Sequence, residues 1–437
     1  MTGPLDIRTA RRRYITVCLL FWLPLGLSIA PLILLFTERG MAMAAIAGFF
    51  AAHSLTAAAL ELPTGGLSDV LGRRAVLVAA GLLNSAALIL VGLGTAPWLL
   101  GLGMALMGAG RALSSGPAEA WYVDTVQAHS GPDAELRTGL ARGGSATSAA
   151  LATGTLLGGA LPWLLGLGPD LGARLGEATS RLVLLPLSVP LLLGAAVEVA
   201  FVSYVLTALR EPPRPATTLA DVLRGVPATV VGGLRLGGRD ALVRRVFLGA
   251  GAAGSALAAI ELLTPGRAAA LMGAPESGAV LFAALACAGF ICAGVGSHLA
   301  PLTARLAGSG ERAVMVSLGA SSSGLLLLGA TAAFTGVGPT VLAAVGYGLV
   351  YLGLGAAGPS EKDLLHRRVP SSGRATALSV QSLALQLVAA LTGLIIGVLP
   401  PGAPPWLLGG TVLLAGALLW VQPRKRTGAR GPRPEAR

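Results

Sequence analysis

The sequence predicts an all-α membrane protein with twelve transmembrane helices in two six-helix bundles. Hydrophobic residues make up 54% of the 437-residue chain and charged residues only 12%. That is more apolar surface than a soluble protein of this size can bury. Twelve segments approach the length of about 20 mainly apolar residues that a bilayer crossing needs. A long polar connection, residues 210–245, divides these segments into six plus six.

Polar residues between the apolar segments set the limits of the twelve predicted spans, which are numbered in chain order. They are 14–36, 40–64, 75–94, 97–123, 142–165, 184–209, 246–265, 277–301, 313–335, 338–360, 375–399 and 404–421. The remaining segments differ from the spans in being polar or basic. The predicted domains are a cytoplasmic N-terminus at 1–13, an N-terminal bundle at 14–209, a cytoplasmic linker with an amphipathic segment at 210–245, a C-terminal bundle at 246–421 and a disordered basic tail at 422–437.

The distribution of positive charge predicts the orientation of the chain in the membrane. With a cytoplasmic N-terminus, inner segments hold 27 of the 32 Lys and Arg residues, and Arg111 lies within a span. Cytoplasmic segments of membrane proteins carry such an excess of Lys and Arg. We therefore expect a multi-pass protein of the inner (plasma) membrane, with both termini cytoplasmic. The outer loops hold four arginines, Arg39, Arg174, Arg181 and Arg267.

Several function classes are disfavoured by missing or misplaced motifs. Nucleic-acid binding is not expected from the net charge of +12, because long stretches of the chain carry no charge. The three cysteines lack CxxC spacing, so no metal site or disulfide framework is indicated. The GxGxxG run at 353–358 lies inside an apolar span, where close helix packing explains it better than a dinucleotide. No GxxxxGK[ST] or HExxH occurs. We expect no enzyme, no cofactor and a monomer in lipid that draws on an ion gradient.

The connection between spans 2 and 3 carries the most specific motif. Its pattern is Gly65-x-x-x-Asp69-x-x-Gly72-Arg73-Arg74. This run resembles the signature of the major facilitator superfamily, in which a Gly, an Asp, a Gly and paired basic residues occupy the same spacing in the same loop. The topology of residues 14–421 is similar as well.

The resemblance implies a fold and a mechanism. The fold is two six-helix bundles, each with inverted three-helix repeats, and the mechanism is secondary transport by alternating access. In the family, this loop is thought to latch the two halves in the outward-facing state. That assigns Asp69 and Arg73 a gating role, with Asp124 or Glu119 as the acidic partner. Val70 departs from the family, which has a basic residue after the Asp. The residues that the resemblance assigns to the latch are Gly65, Asp69, Gly72, Arg73, Arg74, Glu119 and Asp124.

Ionisable and polar residues within the spans are the candidates for proton coupling and for the substrate cavity. A charge inside a span costs a few kcal/mol on insertion scales, and it therefore indicates a cavity or a function. Arg111 resembles the span 4 arginine of proton-coupled efflux members of the family. Burial and an approaching arginine act on a carboxyl group in opposite directions, which allows it to bind and release a proton. For Arg111 and Glu198 a structural ion pair or a misplaced span boundary is an equally good interpretation, and for Glu261 it is the better one. The candidates are Arg111, Glu198, Glu261, Gln381 and Gln386.

These features favour proton-coupled export of a small amphipathic compound, a drug or a metabolite. The chain contains one Asn and only one Trp deep in a span, Trp22, whereas an importer of a polar nutrient would be expected to have more such side chains. Import or facilitated passage by the same fold is the main alternative. A membrane receptor without transport activity and a membrane-integral enzyme are more distant alternatives, because no catalytic constellation supports them.

Overall fold

A computed structural model describes most of the chain. The described residues are 6–114, 116–131, 134–166, 184–210, 225, 231–232, 235–334, 336–369 and 374–421, without the side chains of 62–66, 69, 374 and 375. Ten of the described helices are long and apolar enough to cross a membrane. Three further helices occupy the predicted positions of spans 4 and 12, two of them in span 4.

The N-terminal half contains spans 1 to 6, and two of these spans are interrupted. Span 1 is interrupted near Pro31, and span 4 at Gly116, whose φ of 96° lies in the region that favours glycine. The helices are Ile7–Ile29 and Leu32–Glu38 (span 1), Met43–Leu71 (span 2), Arg73–Leu93 (span 3), Pro97–Ser114 and Pro117–Ser130 (span 4), Arg137–Gly166 (span 5) and Val189–Ala208 (span 6).

The C-terminal half contains spans 7 to 12, each a single helix. Several of them are longer than the apolar segments in the sequence. They are Ala241–Met272 (span 7), Pro275–Ala307 (span 8), Gly310–Ala330 (span 9), Val337–Arg368 (span 10), Arg374–Val398 (span 11) and Ala403–Leu418 (span 12).

Three predicted boundaries are wrong. Residues 65–71 are the last turns of span 2 and not a loop, and the chain turns only at Gly72, with φ 93°. Span 10, predicted to end at residue 360, continues as a helix as far as Arg368. The predicted continuous helix 97–123 is broken before Pro117. The predicted ends of spans 2 and 10 lie too early in the chain for the same reason. The apolar pattern marks only the part of a helix that crosses the lipid core, and a helix can continue beyond it.

Parts of the predicted linker and tail cannot be compared with the structure. Within 210–245 the structure describes 210, 225, 231–232 and 235–245, and all of these residues except 210 and 240 are helical. The rest of the linker, the tail at 422–437, Arg174 and Arg181 lie outside the described residues.

Glycines allow helices to approach closely within each half. A Cβ on Gly26 of span 1 would lie 2.7 Å from the Leu151 carbonyl oxygen of span 5. In the C-terminal half, a Cβ on Gly353 would lie 2.3 Å from the Ser317 oxygen of span 9. A Cβ on Gly355 would lie 2.2 Å from the Ala293 oxygen of span 8. The GxGxxG run is therefore a helix-packing motif.

The two halves contact each other closely near the predicted outer end of the molecule. A Cβ on Gly159 of span 5 would lie 2.6 Å from both the Ala279 oxygen and the Ala283 Cβ of span 8. On the other side, a Cβ on Gly397 of span 11 would lie 2.8 Å from the Ala47 Cβ of span 2. At such distances the added atom would force these backbones apart. Small residues therefore allow the halves to close at this end.

Two of the predicted outer arginines bind the outer ends of helices. Arg39 donates to the carbonyl oxygens of Val91 and Gly92 in span 3, at 2.5 Å each. Arg267 of span 7 donates to the carbonyl oxygens of Leu328 and Thr331 at the end of span 9, at 2.9 and 2.8 Å. The last carbonyls of a helix lack partners within the helix and form its negative end, so cations are stabilising there. Both arginines therefore act as caps for the third helix of their half.

Candidate functional site

A cavity of about 450 Å³ lies between the two halves. Spans 1 to 4, 6 to 8, 10 and 11 contribute to its walls. Its volume is within the range of small-molecule sites. The walls are mainly apolar, and their phenylalanine and tryptophan side chains are Phe21, Trp22, Phe50, Phe282 and Phe290.

Arg111 and Glu261 face this cavity from opposite halves. Arg111 comes from span 4 and Glu261 from span 7, and both side chains are exposed to the cavity. They interact electrostatically with each other. Within the described part of the chain, neither forms a salt bridge at an N–O distance of 4.0 Å or less. The predicted interpretation of Glu261 as a structural ion pair is therefore not supported.

Glu198 of span 6 is paired with Asn84 of span 3. The Glu198 side chain is only 1% exposed, and the Asn84 amide donates to its Oε1 at 3.2 Å. Among the described residues, no hydrogen-bond partner lies on Glu198 Oε2 or on Asn84 Oδ1. Both residues line the cavity. Gly110 of span 4 makes room for the amide, because a Cβ there would lie 2.2 Å from Asn84 Oδ1.

Two tyrosines of span 10 form the cavity wall beside Glu261. The ring centroids of Tyr347 and Tyr351 are 5.1 Å apart, with an interplanar angle of 42°. Glu261 lies within electrostatic range of both. The Tyr347 hydroxyl is buried, and it interacts with Tyr351. His53 of span 2 also lines the cavity.

The two predicted glutamines of span 11 have different locations. Gln386 is buried and lines the cavity. Gln381 lies outside the cavity wall, because its amide donates to Oε2 of the buried Glu361 at 3.3 Å. Glu361 directly follows predicted span 10, but its side chain is only 6% exposed. Gln386, a cavity residue, and Gln381, which contacts span 10, are thus only five residues apart on the same helix.

Sequence reasoning missed Asn84, Tyr347 and Tyr351 as cavity residues. Asn84 is the only asparagine in the chain and lies in an otherwise apolar span, and that could have identified it. Tyr347 and Tyr351 are one helical turn apart, but two tyrosines at that spacing are as typical of packing as of a site.

The residues assigned to the latch are only partly brought together. Arg73 forms a salt bridge with Asp124 of span 4, which selects Asp124 from the two predicted partners. Arg74 donates to the Leu206 carbonyl oxygen of span 6. The backbone of Gly65 is helical, whereas its surroundings and the Asp69 side chain lie outside the described features.

Glu119 contributes to a second cavity of about 460 Å³ on the predicted inner side of the N-terminal half. The residues of this cavity come from spans 1, 2, 4 and 5 and include Glu61. Trp22, Arg111 and Ser114 line both cavities, which therefore adjoin.

The comparisons with known proteins identify the fold. No family model matches the chain, and no curated protein matches it. The solved nucleoside transporter NupG is 13% identical, with a TM-score of 0.70 over 94% of this chain and 97% of that one. An inward-facing bacterial homologue of the human lysosomal transporter Spinster is 15% identical, with a TM-score of 0.67 over 96% and 95%. The peptide transporter POT in complex with sulfate is 15% identical, with a TM-score of 0.64 over 94% and 92%.

These similarities confirm the predicted fold class. The chain has the all-helical membrane fold of the major facilitator transporters. The expectation that it is not an enzyme agrees with that fold, since the similar solved structures are transporters by name. At these identities the comparisons show the fold alone, and they give no support to the drug-efflux part of the resemblance.

Proposed function

We propose that this chain is a proton-coupled secondary transporter, which carries a small molecule by alternating access to the cavity between its halves. The observation that carries the proposal is a solute-sized cavity whose apolar walls hold Arg111, Glu198 and Glu261. Rocking of one half against the other around a central site is the usual mechanism of transporters built from inverted repeats. The Gly159 and Gly397 contacts are the places where such rocking would separate the halves.

Glu198 is the proposed proton carrier. Its Oε2 and the nearby Asn84 Oδ1 are acceptors, and no donor reaches either of them within the described structure. Buried polar atoms without a partner are costly. A proton on the carboxyl group converts one of its oxygens into a donor, so binding of a proton relieves part of this cost. A conformation that admits water would allow the same proton to leave.

Export of an amphipathic compound remains the proposed direction, because the walls of the cavity are mainly apolar. Uptake is the second candidate. The similar solved structures are named as nucleoside and peptide transporters, which makes polar solutes of these kinds the substrates to test for uptake. The Arg73–Asp124 salt bridge is the part of the proposed latch that the described side chains support.

Flux into inverted membrane vesicles under an imposed pH gradient tests the function. We expect at least one compound from a panel of dyes, antibiotics, nucleosides and amino acids to accumulate, and a protonophore to abolish the accumulation. Glu198→Gln should lose gradient-driven accumulation, because an amide cannot release a proton, while it retains exchange of labelled for unlabelled compound. Asp363→Asn, at a side chain that is 57% exposed, is the matched control. Accumulation that ignores the gradient would contradict proton coupling.

A further inference from the structure

The cavity holds two opposite charges that do not neutralise each other by direct contact. Arg111 and Glu261 both face the space between the halves, and neither has a salt-bridge partner in the described part of the chain. A charge in a membrane-embedded cavity is stabilised when a counter-charge or hydrogen bonds replace its lost water. The gap between them is therefore a place for a ligand that brings both charges.

We infer that the cavity binds a zwitterionic solute with an apolar body, its ammonium group at Glu261 and its carboxylate at Arg111. This inference rests on the proposed function, in that it takes the same cavity to be the transport site. The apolar body would lie among Phe21, Phe282 and Phe290, which line the same space.

The surroundings of Glu261 suit an ammonium group. Tyr347 and Tyr351 present aromatic rings to the same region of the cavity, and both interact electrostatically with Glu261. Aromatic faces attract cations within about 6 Å of the ring centroid. A carboxylate beside two such rings is a typical setting for a cationic group. The hydroxyl groups of these two tyrosines add hydrogen-bonding capacity beside Glu261.

The surroundings of Arg111 suit an anion instead. Its guanidinium group has the planar fork of N–H donors that matches a carboxylate. His53 lies within electrostatic range of Arg111 and does not supply a negative charge. Asp124 and Glu119 belong to the second helix of span 4, beyond the break at Gly116.

A singly charged solute fits the cavity less well. A cation would bind Glu261 but would leave Arg111 without a counter-ion and opposite a second positive charge. An anion would bind Arg111 but would leave Glu261 without a counter-ion and opposite a second negative charge. Glu198 does not complete either arrangement, because its side chain is engaged by Asn84. Only a solute with both charges leaves neither Arg111 nor Glu261 uncompensated.

Three probes with the same phenyl-alkyl skeleton separate these possibilities. Phenylalanine carries both charges, phenethylamine only the ammonium group, and 3-phenylpropionate only the carboxylate. Equilibrium binding to the purified full-length protein in detergent is measured by titration calorimetry at neutral pH. We expect phenylalanine to bind at least about tenfold more tightly than either analogue, since each analogue leaves one cavity charge unpaired.

Two variants assign each charge to its partner. Glu261→Gln should make phenylalanine bind no better than 3-phenylpropionate, and Arg111→Gln should make it bind no better than phenethylamine. Asp363→Asn should keep the wild-type order. The comparison of the three probes on the wild-type protein stands even if a variant fails to fold.

Equal or tighter binding of either analogue would overturn the inference, and so would binding of none of the three at millimolar concentration. The test is separate from the flux assay. A preference for the zwitterion without gradient-driven flux would refute the proposed proton coupling but support the zwitterion site. Gradient-driven flux without such a preference would support proton coupling but refute the zwitterion site.

Discussion

At the scale of single residues, the cost of placing a charge in lipid identifies much of the site. Arg111, Glu198 and Glu261 interrupt apolar spans, and all three line the cavity. The same rule cannot find neutral side chains such as Tyr347, because a tyrosine carries no charge and also occurs as a packing residue in apolar spans. It also cannot tell where a residue near a span end points. Glu119 and Asp124 were equivalent in the sequence, and the described structure shows a salt bridge of Arg73 with Asp124, whereas Glu119 lines the second cavity.

The Arg73–Asp124 salt bridge gives a prediction for a single residue. Asp124→Asn should insert normally but transport about tenfold more slowly, because it removes the charge that positions Arg73 at the start of span 3. The flux assay in inverted vesicles measures this, with expression level and detergent elution profile as checks on folding. Asp363→Asn removes an exposed acid and should transport like the wild type. Normal transport by Asp124→Asn would remove Asp124 from the gate.

At the scale of helices, the sequence predicts which segments are helical better than where they end. The apolar pattern predicts all twelve helical segments, because lipid selects for it directly. The apolar pattern says little about where a helix ends in the aqueous region outside the lipid. Span 7 begins at Ala241, before its apolar segment, because Asp240 caps it by accepting hydrogen bonds from the Leu242 and Val243 backbone N–H groups. The Arg368 guanidinium then joins this cap to the end of span 10, with Nε 2.5 Å from Asp240 Oδ2.

The Asp240 contacts predict a pH dependence of stability. Burial alone raises the pKa of Asp240, but Arg368 and the two backbone N–H groups outweigh it and hold that pKa below its usual range. The stabilisation is therefore complete above the ordinary Asp pKa of about 4 and is lost as pH falls through the lowered value in the folded protein. Asp240→Asn should remove this acid sensitivity.

The helix cap and the ion pair can be separated by a second substitution. At neutral pH, Asp240→Asn should cost less than about 1 kcal/mol, because Arg368 is 63% exposed and Asn still caps a helix. Asp240→Ala should cost about 1 kcal/mol more, since it also loses the cap. Thermal unfolding in detergent at a series of pH values measures both. Equal stability of the two variants would contradict the capping role.

At the scale of the whole molecule, composition and periodicity do not say which helix of one half meets which helix of the other. The two-bundle arrangement could be predicted only through the resemblance carried by residues 65–74. The contacts themselves depend on small residues at single positions. Gly159 against Ala279 and Ala283 joins spans 5 and 8, and Gly397 against Ala47 joins spans 11 and 2.

Gly159→Val should open the predicted outer end. The added side chain would meet the Ala279 backbone oxygen, which cannot rotate away as a side chain could. The halves must then separate, so spin labels at the outer ends of spans 2 and 11 should move apart by several ångströms. Pulsed electron resonance measures that distance. Gly294→Val of span 8, where a Cβ would meet nothing within 4 Å, is the control. An unchanged distance would mean that span 5 adjusts locally.

The two capping arginines occupy equivalent places in the two halves of the chain. Arg39 follows the first span of its half and binds the end of the third, and Arg267 near the end of span 7 binds the end of span 9. The same contact thus recurs six spans later, between elements of equivalent rank. Equivalent contacts at the same place in both halves are expected of a fold built from two related six-span repeats, and loss of either arginine would expose helix carbonyls. A shared contact of this kind can outlast the sequence identity of the two copies.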